Sequence, residues 1–335
     1  MAFWKDNPCS PSWIQFTQDW WSSHPPKLLE TNTTPRPHLT PPSGVIVRQA
    51  SKPQDLHPLP EFWGRWFSIS SKSRCVIPLQ HVLKGVSGGQ WTIWIAFKPT
   101  GEVVGTLVRR WIKGVQVGPA YWETAGIIDY FCVHPAYRKK GLGRYLLSLL
   151  HNTTPAPIPP HFFLLEGVQL SIPPLLSGFF FSYQRSKKTS GTPGGIDSVS
   201  KAINAIKVTS QEDQKIIWNS CVKGVYVKSG VSSNSTEETT FWRVSNGAVI
   251  IQDTFHKSVP EGDSIGIVIG SSSASAVNEF AQAEDSPWGV LLVPQASPFT
   301  SSLGPHWTLD SPFQWIGYNL RHSSVHFEWP AFHFG

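Results

Sequence analysis

The first half of the chain carries short apolar runs whose spacing predicts strands, with a few amphipathic segments that predict helices. A strand is expected over Val45–Gln49 and a helix over Leu59–Phe67. Two runs rich in β-branched and aromatic residues meet at the turn residues 99–101, which predicts a hairpin. The next strand should end at His134, and a helix should run from about Gly141 to His151. Two buried strands are predicted after it, in HFFLLEG and GFFFSYQR.

The second half repeats this order with little sequence in common. We predict two strands around Asn246–Gly247, the dipeptide most typical of a two-residue hairpin turn. Helices are expected in DSVSKAINAIKV, SQEDQKIIWNSCVKG and SASAVNEFAQAED, and strands in DSIGIVIG, WGVLLVPQ and FQWIGYNLRH. Each half therefore reads as hairpin, strand, helix, strand and late strand. This order predicts an α+β protein with two similar halves, each a mixed, mostly antiparallel sheet flanked by helices.

Proline and small polar residues mark the borders of these halves. Residues 1–60 contain 11 of the 29 prolines, and SSHPPKLLETNTTPRPHLTPPSG cannot form a regular helix or a central strand. The polar stretch SKKTSGTPGG, at Ser186–Gly195, has the composition of a linker. We therefore predict a Pro-rich arm at 1–42, a first lobe at 43–190, a linker at 191–200 and a second lobe at 201–335.

Charge is distributed unevenly along the chain, whose formal net charge is +6. Residues 1–190 contain 20 Lys/Arg and 9 Asp/Glu, whereas residues 191–335 contain 8 and 13. A basic first half favours an anionic partner, such as a nucleotide or an acidic peptide. Because no Arg/Lys stripe repeats with helical spacing, nucleic acid is not expected as a partner.

The four cysteines form neither a CxxC pair nor a Cys/His cluster with zinc spacing, so free thiols and no metal are expected. Free thiols are typical of a reducing compartment. The sequence has no apolar run of 18 residues and no recognisable signal peptide. We therefore expect no transmembrane segment and a cytoplasmic location.

The segment RKKGLG, at 138–143, lies between a predicted strand and a predicted helix. Its two glycines allow close backbone approach, while the unpaired amides and the dipole at a helix start favour an anion. Three cations add formal charge, so a pyrophosphate held largely by backbone amides is the predicted ligand. The segment is neither a Walker A loop nor the dinucleotide fingerprint GxGxxG. A solvated basic turn is the alternative interpretation.

With a hairpin before it, a strand leading into it and a strand after its helix, this loop resembles the phosphate loop of the GNAT superfamily of acyl-CoA-dependent acyltransferases. The resemblance implies that the HFFLLEG strand splays from the GIIDYFCV strand and admits the pantetheine arm. It also implies that the coenzyme A pyrophosphate is bound by Arg138, Lys139, Lys140, Gly141, Leu142 and Gly143.

Several stretches resemble, in the same order, the eukaryotic N-myristoyltransferases, which are built from two tandem GNAT-like halves. These are AFWKDNPC, QWTIWIAFKPTGEVVGTLVRR, IIDYFCVHPAYRKKGLGRYLL, EGVQLSIPPLLSGFFFSYQR, TFWRVSNGAVIIQDTF and WIGYNLRH. The resemblance implies an acyl-CoA site in the first lobe. It also implies transfer of myristate from myristoyl-CoA to the N-terminal glycine of a protein or peptide.

The coenzyme site implied by this resemblance draws on two parts of the chain. Phe3 and Trp4 match an aromatic pair that packs on the acyl-CoA. Phe131, Cys132 and Val133 match residues beside the coenzyme, in the segment where the resemblance is most specific. The co-substrate would be myristoyl-CoA, with acetyl-CoA as the shorter alternative.

Three backbone groups would carry the chemistry. Tyr130 and Phe131 match the residues whose amides form the oxyanion hole, and fixed amides stabilise a tetrahedral oxyanion with little reorganisation. The general base of the family is the chain's own C-terminal carboxylate, here that of Gly335. No covalent intermediate is needed, so Cys132 is interpreted as a small buried residue and Asp129 as a buried, hydrogen-bonded carboxylate.

Two departures from the family keep other functions open. The loop keeps two glycines that N-myristoyltransferases usually lack, and SISSKSRCVIP at 68–78 is basic where the family has an acidic loop. The alternative enzyme is an acetyltransferase that uses acetyl-CoA and keeps its second lobe as a scaffold. The non-enzymatic alternative is a catalytically inactive module that binds acyl-CoA or a peptide. In each case the chain is expected to act as a monomer.

Overall fold

The computed structural model of the chain describes residues 27–28, 39–67, 72–117, 120–154, 158–166, 176–185, 204–223, 239–295, 297, 300–318, 320–321 and 332–334. These residues divide into two compact units. One contains the described residues up to Ser177 and from Pro312 onward, and the other contains those from Gly178 to Ser311. This division differs from the predicted one at residue 190, because most of the strand at Leu176–Gln184 packs within the second unit.

The elements follow the predicted order over most of the described chain. The helices are α1 (Pro53–Leu56), α2 (Leu59–Trp66), α3 (Leu79–Ser87), α4 (Leu142–Asn152), α5 (Gln211–Ser220) and α6 (Ala274–Gln282). The strands are β1 (Lys27–Leu28), β2 (Ile46–Gln49), β3 (Ser73–Cys75), β4 (Trp91–Phe97), β5 (Val103–Val117), β6 (Ala120–Val133), β7 (His161–Glu166), β8 (Leu176–Gln184), β9 (Ile206–Val208), β10 (Val222–Lys223), β11 (Thr239–Val244), β12 (Gly247–Ser258), β13 (Ser264–Ser271), β14 (Val290–Pro294), β15 (Thr308–Tyr318), β16 (Leu320–Arg321) and β17 (Phe332–Phe334).

The first unit is built on a mixed sheet with the strand order β2-β4-β5-β6-β7-β15. Neighbouring strands are antiparallel except β6 and β7, which run parallel. The β4–β5 hairpin turns at Gly101, whose φ of 88° favours glycine, as the turn signal at 99–101 predicts. The parallel pair requires a crossover, and α4 provides it.

The leucines of α4 explain where this helix packs. Leu142, Leu146 and Leu150 recur every four residues, so they lie on one face of the helix, and all three are fully buried. They pack in one core cluster with Leu107 of β5. Its neighbour Thr106 contacts Trp63 of α2 instead, so α2 covers the opposite face of the sheet.

The second unit repeats this plan. Its strand order is β8-β14-β13-β12-β11-β9, with β13 and β14 parallel and α6 between them in sequence. Val277 and Phe280 of α6 pack with Trp242, Trp288 and Val268 in a buried cluster. The predicted hairpin turn is confirmed, since β11 ends at Val244 and β12 begins at Gly247. The prediction of two α+β halves with mixed, mostly antiparallel sheets is confirmed.

Some elements differ from the sequence prediction. The helix predicted in DSVSKAINAIKV is wrong at its end, where Ile206–Val208 forms β9 and pairs with β11. Residues 197–203 of that segment lie outside the described residues. Pairing along the edge of β11 prevails there over a local helical pattern. The helix predicted in SQEDQKIIWNSCVKG is also wrong at its end, where Val222–Lys223 forms β10 and pairs with β13. Helices α1 and α3 and strands β1, β3 and β17 were not predicted. None of the described helices is both long and apolar enough to span a membrane.

Candidate functional site

Strand β6 contains a β-bulge close to its end. Two of its residues, Tyr130 and Phe131, face the single residue Leu107 of β5, where the register of the ladder shifts. Tyr130 has a φ of 43°, a left-handed conformation that is uncommon for a residue with a side chain. Phe131 packs toward the α4 cluster, whereas the Tyr130 ring stacks on Trp63 on the opposite face. Tyr130 and Phe131 thus lie on opposite faces of the sheet, and the bulge removes one peptide unit from regular pairing.

Side chains hold both backbone polar groups of Tyr130. Its N–H donates to Asp129 Oδ1 at 2.9 Å, and its carbonyl accepts the hydroxyl of Thr106 at 2.8 Å. Trp63 Nε1 in turn donates to Thr106 Oγ1 at 2.9 Å. The Tyr130 amide was expected to be one of two oxyanion donors, but it points to a carboxylate.

Asp129 is paired with a cation beneath the bulge. Arg110 Nη1 lies 3.2 Å from Asp129 Oδ2, and both side chains are less than a tenth exposed. The Arg110 guanidinium also lies 5.1 Å from the ring centroid of Trp91. A buried carboxylate is tolerated when it is paired and hydrogen-bonded. The interpretation of Asp129 as a buried, hydrogen-bonded carboxylate is confirmed.

Strands β6 and β7 separate before the bulge is reached. Within the described residues their register covers two residue pairs, Gly126 with His161 and Ile127 with Phe162. Beyond these pairs β6 continues along β5, and β7 continues along β15. The predicted splay of the two strands is therefore present, and the bulge lies where the strands have parted.

His161 is the first residue of β7 and forms the first of the two residue pairs with β6. Its side chain is fully buried, and Nδ1 lies 3.0 Å from the carbonyl oxygen of Pro159. Burial, followed by the charge of Arg109, lowers the pKa of His161 to about 3, so the ring is neutral at pH 7. A neutral imidazole is therefore held in a fixed position where the two strands are paired.

The predicted phosphate loop leads from β6 into α4. Gly141 precedes the first helical residue with a φ of 89°, and Lys139 has a φ of 61°. The amide of Tyr145 donates to the Gly141 carbonyl at 2.9 Å, which closes the first turn of the helix. The amides before Tyr145 therefore have no partner within the helix and point outward from its start. Such a start, with a positive dipole end, is a site for an anion.

Charged side chains surround this helix start. Arg138, Lys139 and Lys140 are all exposed, and Arg138 Nε donates to the Val133 carbonyl at 3.0 Å. The side chain of Leu142 is buried, so this residue can offer a ligand only its backbone. The loop thus combines the amides of a helix start with exposed cations, the combination that suits a pyrophosphate.

The helix start and the bulge lie close together. A Cβ added at Gly105 would be 3.0 Å from Leu142 Cδ2 and 3.5 Å from the Cys132 carbonyl oxygen. Gly105 is itself the pairing partner of Val133, the last residue of β6. The structure therefore brings the loop residues and the bulge residues to one end of β6.

Aromatic rings fill the space behind the bulge. The Tyr130 ring lies 4.4 Å from Trp63, 5.1 Å from Phe67 and 5.9 Å from Trp91, measured between centroids. Trp63 is fully buried, and Trp91 and Tyr130 are 5% exposed. We call Trp63, Phe67, Trp91 and Tyr130 the aromatic cluster.

Cys132 has the character of a core residue. It is 4% exposed, and burial raises the pKa of its thiol to about 12. The thiolate, which is the reactive form of cysteine, is therefore scarce at neutral pH. The interpretation of Cys132 as a small buried residue is confirmed.

The two ends of the chain carry three of the predicted site residues. Phe3, Trp4 and Gly335 lie outside the described residues. Strand β17 ends one residue before Gly335 and pairs with β5, with Phe334 opposite Val115. Val115 lies eight residues from Leu107, or about 25 Å along the strand. A base role for the Gly335 carboxylate would require the tail to leave this pairing.

The second unit has the same plan without the same loop. Strand β13 also carries an extra residue, Ile269, near its end. The helix that follows, α6, starts on serines: Ser273 Oγ accepts the amide of Ala276 at 3.1 Å, and Ser272 Oγ accepts the amide of Ala248 at 2.9 Å. The segment 270–273, GSSS, contains no cation. Within the described chain, no group of three His, Cys, Asp or Glu residues is arranged to hold a metal.

Sequence reasoning missed three residues that hold the bulge. Thr106, Trp63 and Arg110 contact the backbone of Tyr130 or its immediate partners, yet none belongs to a motif. The one available signal is a polar residue in an apolar strand, as in VVGTLV, which indicates a buried hydrogen bond.

Comparison with known proteins agrees with this geometry. The sequence profile of the Acetyltransferase (GNAT) family matches residues 61–152, which span the hairpin, the bulge, the loop and α4. No curated protein sequence matches the chain.

Solved structures match over nearly the whole chain. Saccharomyces cerevisiae N-myristoyltransferase with bound myristoyl-CoA is 9% identical, with a TM-score of 0.64 over 96% of this chain and 88% of that one. The same yeast enzyme with myristoyl-CoA and inhibitors is 11% identical, with a TM-score of 0.66 over 97% and 91%. A putative acetyltransferase from Pyrococcus horikoshii is 10% identical, with a TM-score of 0.51 over 87% and 94%.

These likenesses concern the fold, because the identities are low. The chain has the GNAT fold in two tandem halves, as N-myristoyltransferase does.

Proposed function

We propose that this chain is an acyl-CoA-dependent N-acyltransferase whose site is the gap between β6 and β7. One observation carries the proposal: the bulge at Tyr130 and Phe131, the parting of β6 from β7 and the amide-rich start of α4 follow one another at one end of β6. A thioester that lay in the gap would have its carbonyl beside the bulge and its pyrophosphate at the helix start. No other arrangement in the described residues combines these three features.

The chemistry needs little from side chains. An amine attacks the thioester carbon, the C–N bond forms, and the tetrahedral oxyanion is held by a backbone amide at the bulge. The C–S bond then breaks, and coenzyme A leaves while the amine loses its proton to a base. The residues at 138–143 hold the pyrophosphate, and Cys132 and Val133 border the coenzyme through their backbone. Phe3 and Trp4 cover the acyl-CoA, as the resemblance implies.

The finer proposal is transfer of myristate from myristoyl-CoA to an N-terminal glycine. It is supported by the likeness to a yeast N-myristoyltransferase over 96–97% of this chain, and by the order of the resembling stretches. In this reading the Gly335 carboxylate is the base, and the tail leaves β5 when the amine acceptor binds. The acceptor is a protein or peptide with a free N-terminal amine.

A second candidate is an acetyltransferase, and the aromatic cluster favours it. An acyl chain that continues past the bulge toward α2 meets Trp63 and the Tyr130 ring, which stack 4.4 Å apart. Close-packed rings leave room for a short group more readily than for a long one. In this reading the second half serves as a scaffold.

A chain-length series separates these functions. The full chain is mixed with acyl-CoAs from acetyl to palmitoyl and a glycine-starting peptide, and released coenzyme A and peptide mass are measured. The matched controls are the same peptide with an acetylated N-terminus and with alanine in place of glycine. Myristoyl transfer predicts a maximum near 14 carbons and a requirement for glycine, and the second candidate predicts a maximum at two carbons. Binding of acyl-CoA without any acylated product would contradict both and leave a non-catalytic binding module.

A further inference from the structure

We infer that the contact between β6 and β7 is an acid-sensitive latch, which stays closed while His161 is neutral and opens when its ring takes up a proton. The latch consists of Gly126 and Ile127 on β6 and His161 and Phe162 on β7. It lies at the closed end of the gap between the two strands. The inference concerns the chain without ligand, so it does not depend on the proposed function.

The latch joins the two strands over a short distance. Within the described residues it comprises two residue pairs, and the amide of Gly126 donates to the Pro160 carbonyl at 3.0 Å. By contrast, β6 pairs with β5 along most of its length, and β7 pairs with β15 along all of it. Each strand is therefore held more extensively by its other neighbour. Because local opening follows the least extensive contacts, the sheet should part most readily at the latch.

The His161 ring lies inside the latch, over the backbone of Gly126. A Cβ added at Gly126 would be 2.6 Å from His161 Nε2, so the ring occupies the space of the missing side chain. His161 Nδ1 lies 3.0 Å from the Pro159 carbonyl, which can only accept a hydrogen bond, so Nδ1 carries the hydrogen of the neutral ring. A further proton must therefore add at Nε2, between the two strands.

The groups around this ring disfavour a second positive charge. The Trp111 ring of β5 lies 5.9 Å from the His161 ring and 4.2 Å from the guanidinium carbon of Arg109. Arg109 and His151 of α4 are both buried, and the pKa of Arg109, about 10, keeps it charged at neutral pH. On β15, the backbone partner of His161 is Tyr318. Within the described residues, no carboxylate is among the groups that shift the pKa of His161, which burial and these two basic neighbours lower to about 3.

A proton on His161 therefore favours the open form. A ring that parts from β6 and meets water regains the ordinary pKa of about 6.5, whereas in the closed form the pKa is about 3. The closed form is fully favoured above pH 6.5, and this advantage is lost as the pH falls toward 3. Between pH 7 and pH 5 the ratio of open to closed chains should rise about 25-fold.

The second unit shows that the fold does not require a histidine at this place. Its own parallel strands, β13 and β14, begin their register with Ile265 opposite Val290. Neither side chain can take up a proton. The titratable group is thus a property of the first unit, where β6 and β7 border the gap.

The Gly126 amide reports directly on the latch, because opening breaks its hydrogen bond to Pro160. The sequence contains one Ala–Gly dipeptide, so ¹³C-labelled alanine carbonyls and ¹⁵N-labelled glycine amides leave one correlated NMR signal, that of Gly126. Its protection from hydrogen exchange is measured on the full chain without ligand at pH 5, 6 and 7, corrected for the intrinsic exchange rate. The control is the amide of Trp111, which is opposite Gly126 in the sheet and donates to the Gln90 carbonyl at 2.9 Å.

We expect the protection of Gly126 to fall about 25-fold from pH 7 to pH 5, while that of Trp111 changes by less than about threefold. His161→Asn keeps an amide nitrogen near the position of Nδ1 but cannot take up a proton. In this variant the protection of Gly126 should therefore change by less than about twofold over the same range. An equal fall in His161→Asn and wild type would overturn the inference, as would a protection of Gly126 that does not depend on pH.

The two amides also separate local opening from unfolding of the whole unit. Equal falls at Gly126 and Trp111 in the wild-type chain would indicate global unfolding and would overturn the inference. If His161→Asn does not fold, the comparison of these two amides in the wild-type chain decides.

One consequence of the latch rests on the proposed function. If acyl-CoA occupies the gap, opening of the latch widens its closed end, so acid should speed the release of bound acyl-CoA. Stopped-flow measurement of release should show a rise of up to about 25-fold from pH 7 to pH 5 in wild type and a smaller one in His161→Asn. Equal rises in both chains would contradict this consequence. If no acyl-CoA binds, the proposed function is lost, and the exchange of the Gly126 amide still decides whether the latch exists.

Discussion

His161 packs its imidazole ring directly over the backbone of Gly126, at the residue pair where β6 and β7 run side by side. A Cβ added at Gly126 would lie 2.6 Å from His161 Nε2 and closer still to Cδ2. The ring cannot swing aside, because it is fully buried and held at 3.0 Å from the Pro159 carbonyl. The absence of a side chain at Gly126 therefore sets how closely the two strands approach at the base of the cleft.

Gly126→Ala should accordingly strain the base of the cleft. We expect a loss of about 1–3 kcal/mol in the free energy of unfolding, as overpacking of a tight core usually costs. We also expect weaker acyl-CoA binding, since β7 must shift. Chemical denaturation and calorimetry measure the two effects. Gly304→Ala is the matched control, because its added Cβ would meet its nearest neighbour at 3.7 Å, an ordinary contact. Equal effects of both substitutions would contradict this account.

Gly141→Ala tests the phosphate loop. The residue has a φ of 89° and open space around its Cα, so alanine adds backbone strain of about 1 kcal/mol without a clash. Gly89, with a φ of 70° and equally open surroundings, lies far from the loop in sequence and provides the matched control. Both variants should lose similar stability, but Gly141→Ala alone should weaken the binding of coenzyme A. Unchanged affinity in Gly141→Ala would remove this glycine from the coenzyme site.

The Gly335 carboxylate can be neutralised without altering the backbone. Ligation of a C-terminal peptide that ends in a carboxamide gives a chain with an uncharged end, and ligation of the free acid gives its control. If the carboxylate is the general base, turnover should fall by about a hundredfold or more while acyl-CoA affinity is retained. Equal turnover of the two ligated chains would mean that another group accepts the proton. It would also agree with the pairing of β17 far from the bulge.

Cys132 should be unreactive in the folded chain. Burial raises the pKa of its thiol to about 12, so at pH 8 almost none of it is thiolate. Treatment with iodoacetamide at pH 8, followed by peptide mass spectrometry, should leave Cys132 unmodified. The same treatment in guanidinium chloride, where the chain is unfolded, should modify it fully. Rapid alkylation of the folded chain at Cys132 would indicate an accessible thiolate and reopen a nucleophilic role.

Asp55 should make the stability of the first unit depend on pH. Hydrogen bonds from Arg48 at 2.6 and 2.7 Å, opposed by burial and assisted by the amides of Ser51 and Lys52, lower the pKa of Asp55. A lowered pKa means that the stabilisation is complete above the unfolded pKa of about 4 and is lost as the pH falls below it. Asp55→Asn should therefore cost about 1–3 kcal/mol at pH 7 and less at pH 3. Urea unfolding at both pH values measures this, and Glu61→Gln, which removes an exposed ion pair, should change little at either.

The parts of the structure that local patterns encode were predictable. The hairpin at Asn246–Gly247, the run from β6 into α4 and the helix from Leu142 to Asn152 each depend on residues within a few positions of one another. The loop at 138–143 was recognisable for the same reason, because glycines, cations and a helix start are adjacent in sequence. Ile206–Val208 was mispredicted because its conformation is decided by a distant partner, β11.

The hydrogen bonds that hold the bulge could not be predicted from the sequence either, because they also join residues far apart in the chain. The bond from Thr106 to the Tyr130 carbonyl joins residues 24 positions apart. It forms only because β5 and β6 pair in one register and then shift by one residue. No rule about residue spacing predicts such a shift. The family resemblance identifies the two backbone amides, of Tyr130 and Phe131, but it does not show that the Asp129 side chain accepts a hydrogen bond from the first of them. The direction of the Tyr130 amide was therefore outside what the sequence could provide.

The serine-capped start of α6 bears on how many coenzyme molecules the proposed transferase would bind. The amide of Ala276 in its first turn donates to Ser273 Oγ, and the segment before the helix has no cation to attract a diphosphate. Under the proposed function, the two halves would therefore differ in their capacity for coenzyme, and the stoichiometry expected from calorimetry is one coenzyme A per chain. A second half whose helix start is capped by its own serine would not need to keep a coenzyme-binding surface, so that surface can serve another purpose.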